Sequence, residues 1–144
     1  ELRFAQIRDL KKVLRAEAIV YGRLPLMITE NCLVQNETGC RLDRQGPCVP
    51  EDGPCRCGQP NVLVDRTGAA FPLLPAYGHR TEIQNSKPLY LADRPEHRRL
   101  GLAYARLRFT TETAEECVSV VQNYLDAAPA AGDFTRGLYE RGVE

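Results

Sequence analysis

Ala18-Ile19-Val20-Tyr21-Gly22 is an apolar, partly β-branched run without polar–apolar alternation, the pattern of a strand buried on both faces. Such a strand belongs in a parallel sheet covered by helices. On its N-terminal side, Phe4, Ile7, Leu10 and Leu14 recur at helical spacing, with Arg3, Arg8, Asp9, Lys11 and Lys12 elsewhere on the wheel. The spacing predicts an amphipathic helix over residues 1–15. On the other side Gly22 and Pro25 interrupt the strand, and Leu26-Met27-Ile28 continues in extended form toward Cys32.

A second strand is expected over Ala103–Phe109, just ahead of a capping-box pattern, Thr113-Ala114-Glu115-Glu116, that starts a helix. In that helix Cys117, Val118, Val121 and Leu125 mark the apolar face, which makes Cys117 a small core residue. Two strands of this kind pair in parallel through a right-handed crossover. Two strands alone make a poor sheet. The expected class is therefore α/β, a C-terminal fragment of a (β/α) barrel-like domain with an inserted Cys-rich loop and β-hairpin. The start at Glu1, with neither Met nor a signal-peptide pattern, fits a soluble piece of a longer chain.

The insertion begins near Asn31. From there to Asn61 nothing is periodic, and Pro47, Pro50, Pro54 and Pro60 alternate with Gly39, Gly46, Gly53 and Gly58. Long loops without secondary structure are uncommon in compact domains unless they carry function or are disordered. Val62–Asp65 and Ala70–Leu74 then flank Arg66-Thr67-Gly68-Ala69 as a hairpin, with Pro72 expected to place its strand at a sheet edge. Arg80–Ile83 and Leu89–Leu91 are further extended candidates, and Arg94–Gly101 is a short helix beginning near Pro95. Residues 1–144 thus form a single domain fragment: helix and buried strand (1–30), Cys-rich loop (31–61), hairpin and extended segments (62–92), helix-strand-helix (93–128) and C-terminal tail (129–144).

A hydrophobic content of 43% suits a globular chain, and 19 basic against 19 acidic residues leave no net field to attract nucleic acid or an anionic membrane. No stretch approaches the roughly 18 apolar residues of a spanning helix. A cytoplasmic location without membrane contact is expected. There is no solenoid repeat, and Gly-x-Ser-x-Gly, His-Glu-x-x-His and Walker patterns are absent from the sequence.

Five of the six cysteines lie between Cys32 and Cys57, spaced Cys32-x7-Cys40-x7-Cys48-x6-Cys55-x1-Cys57. A disulfide framework would spread them over a small chain unable to build a core, whereas the flanking regions here have core patterns. Thiolates are soft ligands for zinc or iron–sulfur clusters, and imidazole can join either kind of site. The readings are thus a metal or cluster site, disulfides, or unligated thiols. His79 follows Tyr77-Gly78 in a loop, while His97, within Arg94-Pro95-Glu96-His97-Arg98-Arg99, is read as a solvated surface residue in the run best suited to contact phosphate. A Cys/His nucleophilic pair is disfavoured, since it would leave the other clustered thiols without a purpose.

Val20-Tyr-Gly-Arg-Leu-Pro-Leu-Met27 followed by Cys32, Leu63-Val-Asp-Arg-Thr-Gly68, Phe71-Pro72, Arg80-Thr-Glu-Ile-Gln-Asn-Ser86 with Pro88-Leu89, and Phe134-Thr-Arg-Gly137 resemble, in order, one family. It is the collagenase-like peptidase family of unknown catalytic type, numbered thirty-two in that class. The resemblance implies the final part of its barrel-like catalytic domain, completed by the rest of a longer protein. It implies either peptidase activity or, as in several members, oxygen-independent hydroxylation of RNA bases or small aromatic precursors with a 4Fe-4S cluster on four cysteines. Carried over, Cys32, Cys40 and Cys57 are the first three ligands, with Cys48 and Cys55 as alternates. Where the family has its fourth cysteine this chain has His79, a donor set that also suits zinc, including a purely structural zinc loop. Open sheet edges add the expectation of a homodimer.

Overall fold

A computed structural model describes residues 2–10, 15–38 and 59–139. In chain order its elements are α1 (Phe4–Leu10), β1 (Glu17–Gly22), β2 (Pro25–Thr29), α2 (Leu33–Thr38), β3 (Asn61–Val64), β4 (Ala70–Ala76), β5 (Arg80–Gln84), β6 (Leu89–Tyr90), α3 (Pro95–Arg99), β7 (Tyr104–Leu107) and α4 (Ala114–Asp126). The class is mixed α/β, with two mostly antiparallel sheets; among the described residues there is no closed barrel. Contacts divide the chain into two compact units, residues 1–23 with 87–144 and residues 24–86.

The first unit is built on a three-stranded sheet of order β6-β1-β7. β1 and β7 pair in parallel, as the two apolar runs predict, from Glu17↔Tyr104 to Tyr21↔Leu107, with a register shift between Ile19 and Tyr21. β6 pairs with β1 antiparallel. Gly22 ends β1 at φ +117°, where a Cβ would stand 2.0 Å from the Arg108 carbonyl oxygen, so only glycine admits this approach of the two strands. A bridge between Leu89 and Thr135 lays the Phe134–Arg136 segment along β6.

The core of this unit is largely aromatic. Tyr21, Tyr90 and Ala92 are buried, with Leu107, Phe109, Val120, Tyr124 and Phe134 packed on them. Ring centroids lie 5.5 Å apart for Tyr21–Phe109 and for Tyr90–Tyr124. The Tyr124 hydroxyl accepts from the Leu91 amide at 2.8 Å and donates to the Val20 carbonyl, tying α4 to the sheet. Arg136 forms a bidentate pair with Asp93, whose carboxyl its guanidinium holds below the usual carboxylate range, and donates to the Tyr90 carbonyl at 2.9 Å.

Two expectations fail in this unit, and the helix expected over residues 1–15 is described only in part. α1 is described only over Phe4–Leu10, with Lys11–Leu14 outside the described residues. α4 begins at the expected capping box, but its apolar face is turned: Val118 and Leu125 are 70% and 71% exposed, while Val120 and Tyr124 face the core and Cys117 is half-buried. The hydrogen bonds of Tyr124 fix that rotation. His97 is 7% exposed rather than solvated, because the turn of α3 brings its Nδ1 to the Arg94 carbonyl at 2.6 Å and its ring toward Tyr124.

The second unit is a four-stranded antiparallel sheet of order β2-β5-β4-β3. β3 and β4 form the expected hairpin, whose turn is closed by the Asp65 carboxylate accepting from the Thr67 and Ala69 amides at 2.7 and 3.0 Å, with Gly68 at φ +85°. Pro72 does not mark an edge strand, because β4 lies between β5 and β3. Pro72 pairs with Val62 where β5 pairing has not begun, and Pro75 pairs with Thr81 where β3 pairing has ended. Each proline sits where β4 has one neighbour, which is how an inner strand tolerates a missing donor.

Candidate functional site

Cys32, the member of the cysteine cluster that lies among the described residues, sits at one end of the second unit's sheet. β2 leaves the sheet at Thr29, which pairs with Thr81 of β5. Beyond this pair, Glu30 and Arg80 form an exposed ion pair at 3.2 Å. Cys32 follows, 6% exposed and in no disulfide. The chain then turns into α2, whose first amide, Leu33, donates to the Thr81 hydroxyl at 3.0 Å. Helix starts leave amides without intrahelical partners. Here a side chain from another strand supplies the partner and pins the residue next to Cys32 against β5.

His79 lies at the same end. Ala76 pairs with Arg80, so Tyr77-Gly78-His79 is a three-residue loop between β4 and β5. Gly78 and His79 both take positive φ, +74° and +57°, a conformation uncommon for a non-glycine residue. Half-buried His79 lies two residues before Thr81, whose hydroxyl holds Leu33. The pairing of β2 with β5 thus sets Cys32 and His79, 47 positions apart in the chain, at one end of one strand pair.

β3 enters from this end too. Its first residue, Asn61, pairs with Leu73, so the residues ahead of it run toward the Tyr77–His79 loop. The chain therefore leaves β2 and re-enters β3 at the same end of the sheet. Cys40, Cys48, Cys55 and Cys57 lie outside the described residues. Among the described residues no group of three or more His, Cys, Asp or Glu side chains could hold a metal. Cys32 and His79 offer a soft thiolate and an imidazole, donors that suit zinc and fit an iron–sulfur cluster as part of a larger set.

Cys117 lies in the first unit and, among the described residues, belongs to no group of possible metal ligands. In the same unit the basic run around α3 is committed to structure: His97 is buried, Arg98 donates to the Tyr124 carbonyl, and burial lowers the imidazole pKa of His97.

The first unit also holds a cleft of about 490 Å³ that the sequence does not announce. It lies beyond the carboxyl ends of the parallel strands β1 and β7, bounded by Tyr21, Arg23, Glu112, Phe134 and the first turns of α4. Open α/β sheets place ligands at that end of their strands. Glu112 is the residue missed: it accepts from the Thr110 and Thr111 amides at 2.7 and 3.0 Å and from the Tyr21 hydroxyl at 3.2 Å. Burial first, then the Glu112 carboxylate, pushes the Tyr21 phenol far above its ordinary value and keeps it a donor. The available signal was the polar run Thr110–Glu112 between a strand and a capped helix. Among the described residues no helix is long and apolar enough to cross a membrane. No protein-family description, curated protein or solved structure matches the chain.

Proposed function

We propose that this chain is the C-terminal portion of a barrel-like domain of the collagenase-like peptidase family, in which the cysteine segment and His79 bind a 4Fe-4S cluster. The observation that supports this most is the convergence of Cys32, His79 and both strand attachments of the cysteine segment at one end of the four-stranded sheet. In this reading Cys32, Cys40 and Cys57 supply thiolates, with Cys48 and Cys55 as alternates, and His79 the fourth ligand. When bound, such a cluster supplies electron transfer, here for hydroxylation-type modification of RNA or a small aromatic substrate by the complete protein.

The chain's own residues perform the positioning. Burial withdraws Cys32 from solvent, the Leu33–Thr81 hydrogen bond fixes the turn beside it, and the tight β4–β5 loop holds His79 at that end. A second reading, a structural zinc loop, is favoured by the mixed donors, since three thiolates and one imidazole suit tetrahedral zinc.

The test is purification under anaerobic conditions, reconstitution with iron and sulfide, and metal and sulfide analysis with visible absorbance. About four irons and a charge-transfer band, both lost in Cys32→Ser and reduced in His79→Ala, are expected for the cluster. Colourless, iron-free protein after reconstitution overturns it. Stoichiometric zinc, with loss of the β2–β5 sheet on chelation, instead establishes the structural reading.

A further inference from the structure

The cleft of the first unit carries an unbalanced charge. Glu112, Glu116 and Asp133 line it against a single guanidinium, Arg23. Asp133 is met by Lys87 at 3.6 Å, but Glu112 and Glu116 are held only by neutral donors: Glu112 by Tyr21, Thr110 and Thr111, and Glu116 by the Thr113 amide at 2.7 Å. No described residue forms an ion pair with either. Arg23 instead directs its Nε to the Thr111 hydroxyl at 3.4 Å. Two fixed carboxylates four residues apart thus share one concave site whose remaining wall includes Val120 and Phe134. Its volume falls in the range of small-molecule sites.

We propose that this cleft binds a small organic cation, its ammonium or guanidinium group seated against Glu112 and Glu116 and its apolar portion against Val120 and Phe134. The carboxylates are already held by their hydrogen bonds, so a cation gains charge-assisted bonds without reordering them. The same potential repels phosphate, so the cleft is not where an RNA backbone would lie. The site stands on the first unit alone and is independent of the cysteine reading.

The whole chain, isotopically labelled, is titrated with benzylamine, with the near-isosteric benzyl alcohol and with phenyl phosphate, following backbone amides by NMR. Saturable shifts at Thr111, Ser119 and Asn123 are expected for benzylamine, with benzyl alcohol about tenfold weaker or worse and phenyl phosphate without effect. Raised salt weakens the amine. Glu116→Gln is the informative variant, because glutamine retains the capping-box role while removing the charge. It lowers benzylamine affinity about tenfold with the fold intact. Equal binding of amine and alcohol, binding of phosphate, shifts that map elsewhere or do not saturate, or unchanged affinity in E116Q overturns the proposal.

Discussion

The two units bury their chains by different means. The first closes an aromatic cluster with directed bonds: Tyr124 bridges Val20 and Leu91, Tyr139 stacks on Phe4 at 5.0 Å and donates to the Ile19 carbonyl at 2.7 Å, and Arg136 clamps Asp93. The second is a sheet whose edge strands leave Leu26, Met27 and Ile28 on β2 and Val62, Leu63 and Val64 on β3 exposed. Among its described residues the buried side chains are few, including Cys32, Leu73, Thr81, Ile83 and Gln84. The comparison teaches where added stabilisation is needed. A unit with a closed ring cluster stands on its own contacts, whereas a thin sheet bearing a buried thiol at one end gains most from a ligand that ties that end together.

The largest expected effect falls on the first unit. Gly22→Ala sets a Cβ against the Arg108 carbonyl at a φ that side chains rarely adopt, and costs more than about 3 kcal/mol. A denaturant midpoint unchanged by this substitution would break the description of β1 and β7 as closely apposed. Should it unfold only the first unit, amide exchange in β2–β5 stays protected and the division into units is sharpened.

A smaller effect is expected in the second unit. Thr81→Val keeps the shape of a buried side chain but leaves the Leu33 amide without its acceptor, at about 1–2 kcal/mol. The accompanying sign is faster reaction of Cys32 with a thiol reagent. Unaltered Cys32 reactivity would show that Thr81 does not organise that end of the sheet.

The smallest effect is pH-dependent. Burial disfavours the charged form of His97, so its folded pKa lies below the ordinary 6.5 and the unfolded chain takes the proton first. The stability due to neutral His97 is fully present above about pH 6.5 and declines as pH falls from there toward the folded value. A chemical-denaturation series from pH 7.5 to 5 checks this, since His97→Leu flattens the dependence; an equal slope in both proteins would assign it to other groups.

Much of the fold was legible because the signals were local. The unbroken apolar run at Ala18–Gly22 announced β1, Thr113 and Glu116 announced the start of α4, and Asp65 through Gly68 announced the hairpin turn. What failed depended on neighbours. Val118, Val121 and Leu125 form as good an apolar stripe as Val120 and Tyr124, and nothing in their spacing says which meets the sheet. Pro72 forbids a hydrogen bond on one side of its strand, but only the lengths of β3 and β5 decide whether that side needs one.

The candidate sites divide the same way. Residue chemistry alone singled out the clustered thiols, because soft donors are rare and conspicuous in a sequence, whereas His79 became a candidate through the family resemblance. Neither could show that β2, β3 and the β4–β5 loop bring Cys32 and His79 to one end of a sheet, nor that Glu112 and Glu116 share a cleft. By itself the sequence determined most element types, though not the helix α2 inside the segment read as a loop, and the parallel pairing of β1 with β7, since periodicity, capping and turn chemistry act over a few residues. The tertiary structure decided which faces are buried, which histidine is hidden and which charges are left unpaired, because those depend on residues scores of positions apart meeting across strands.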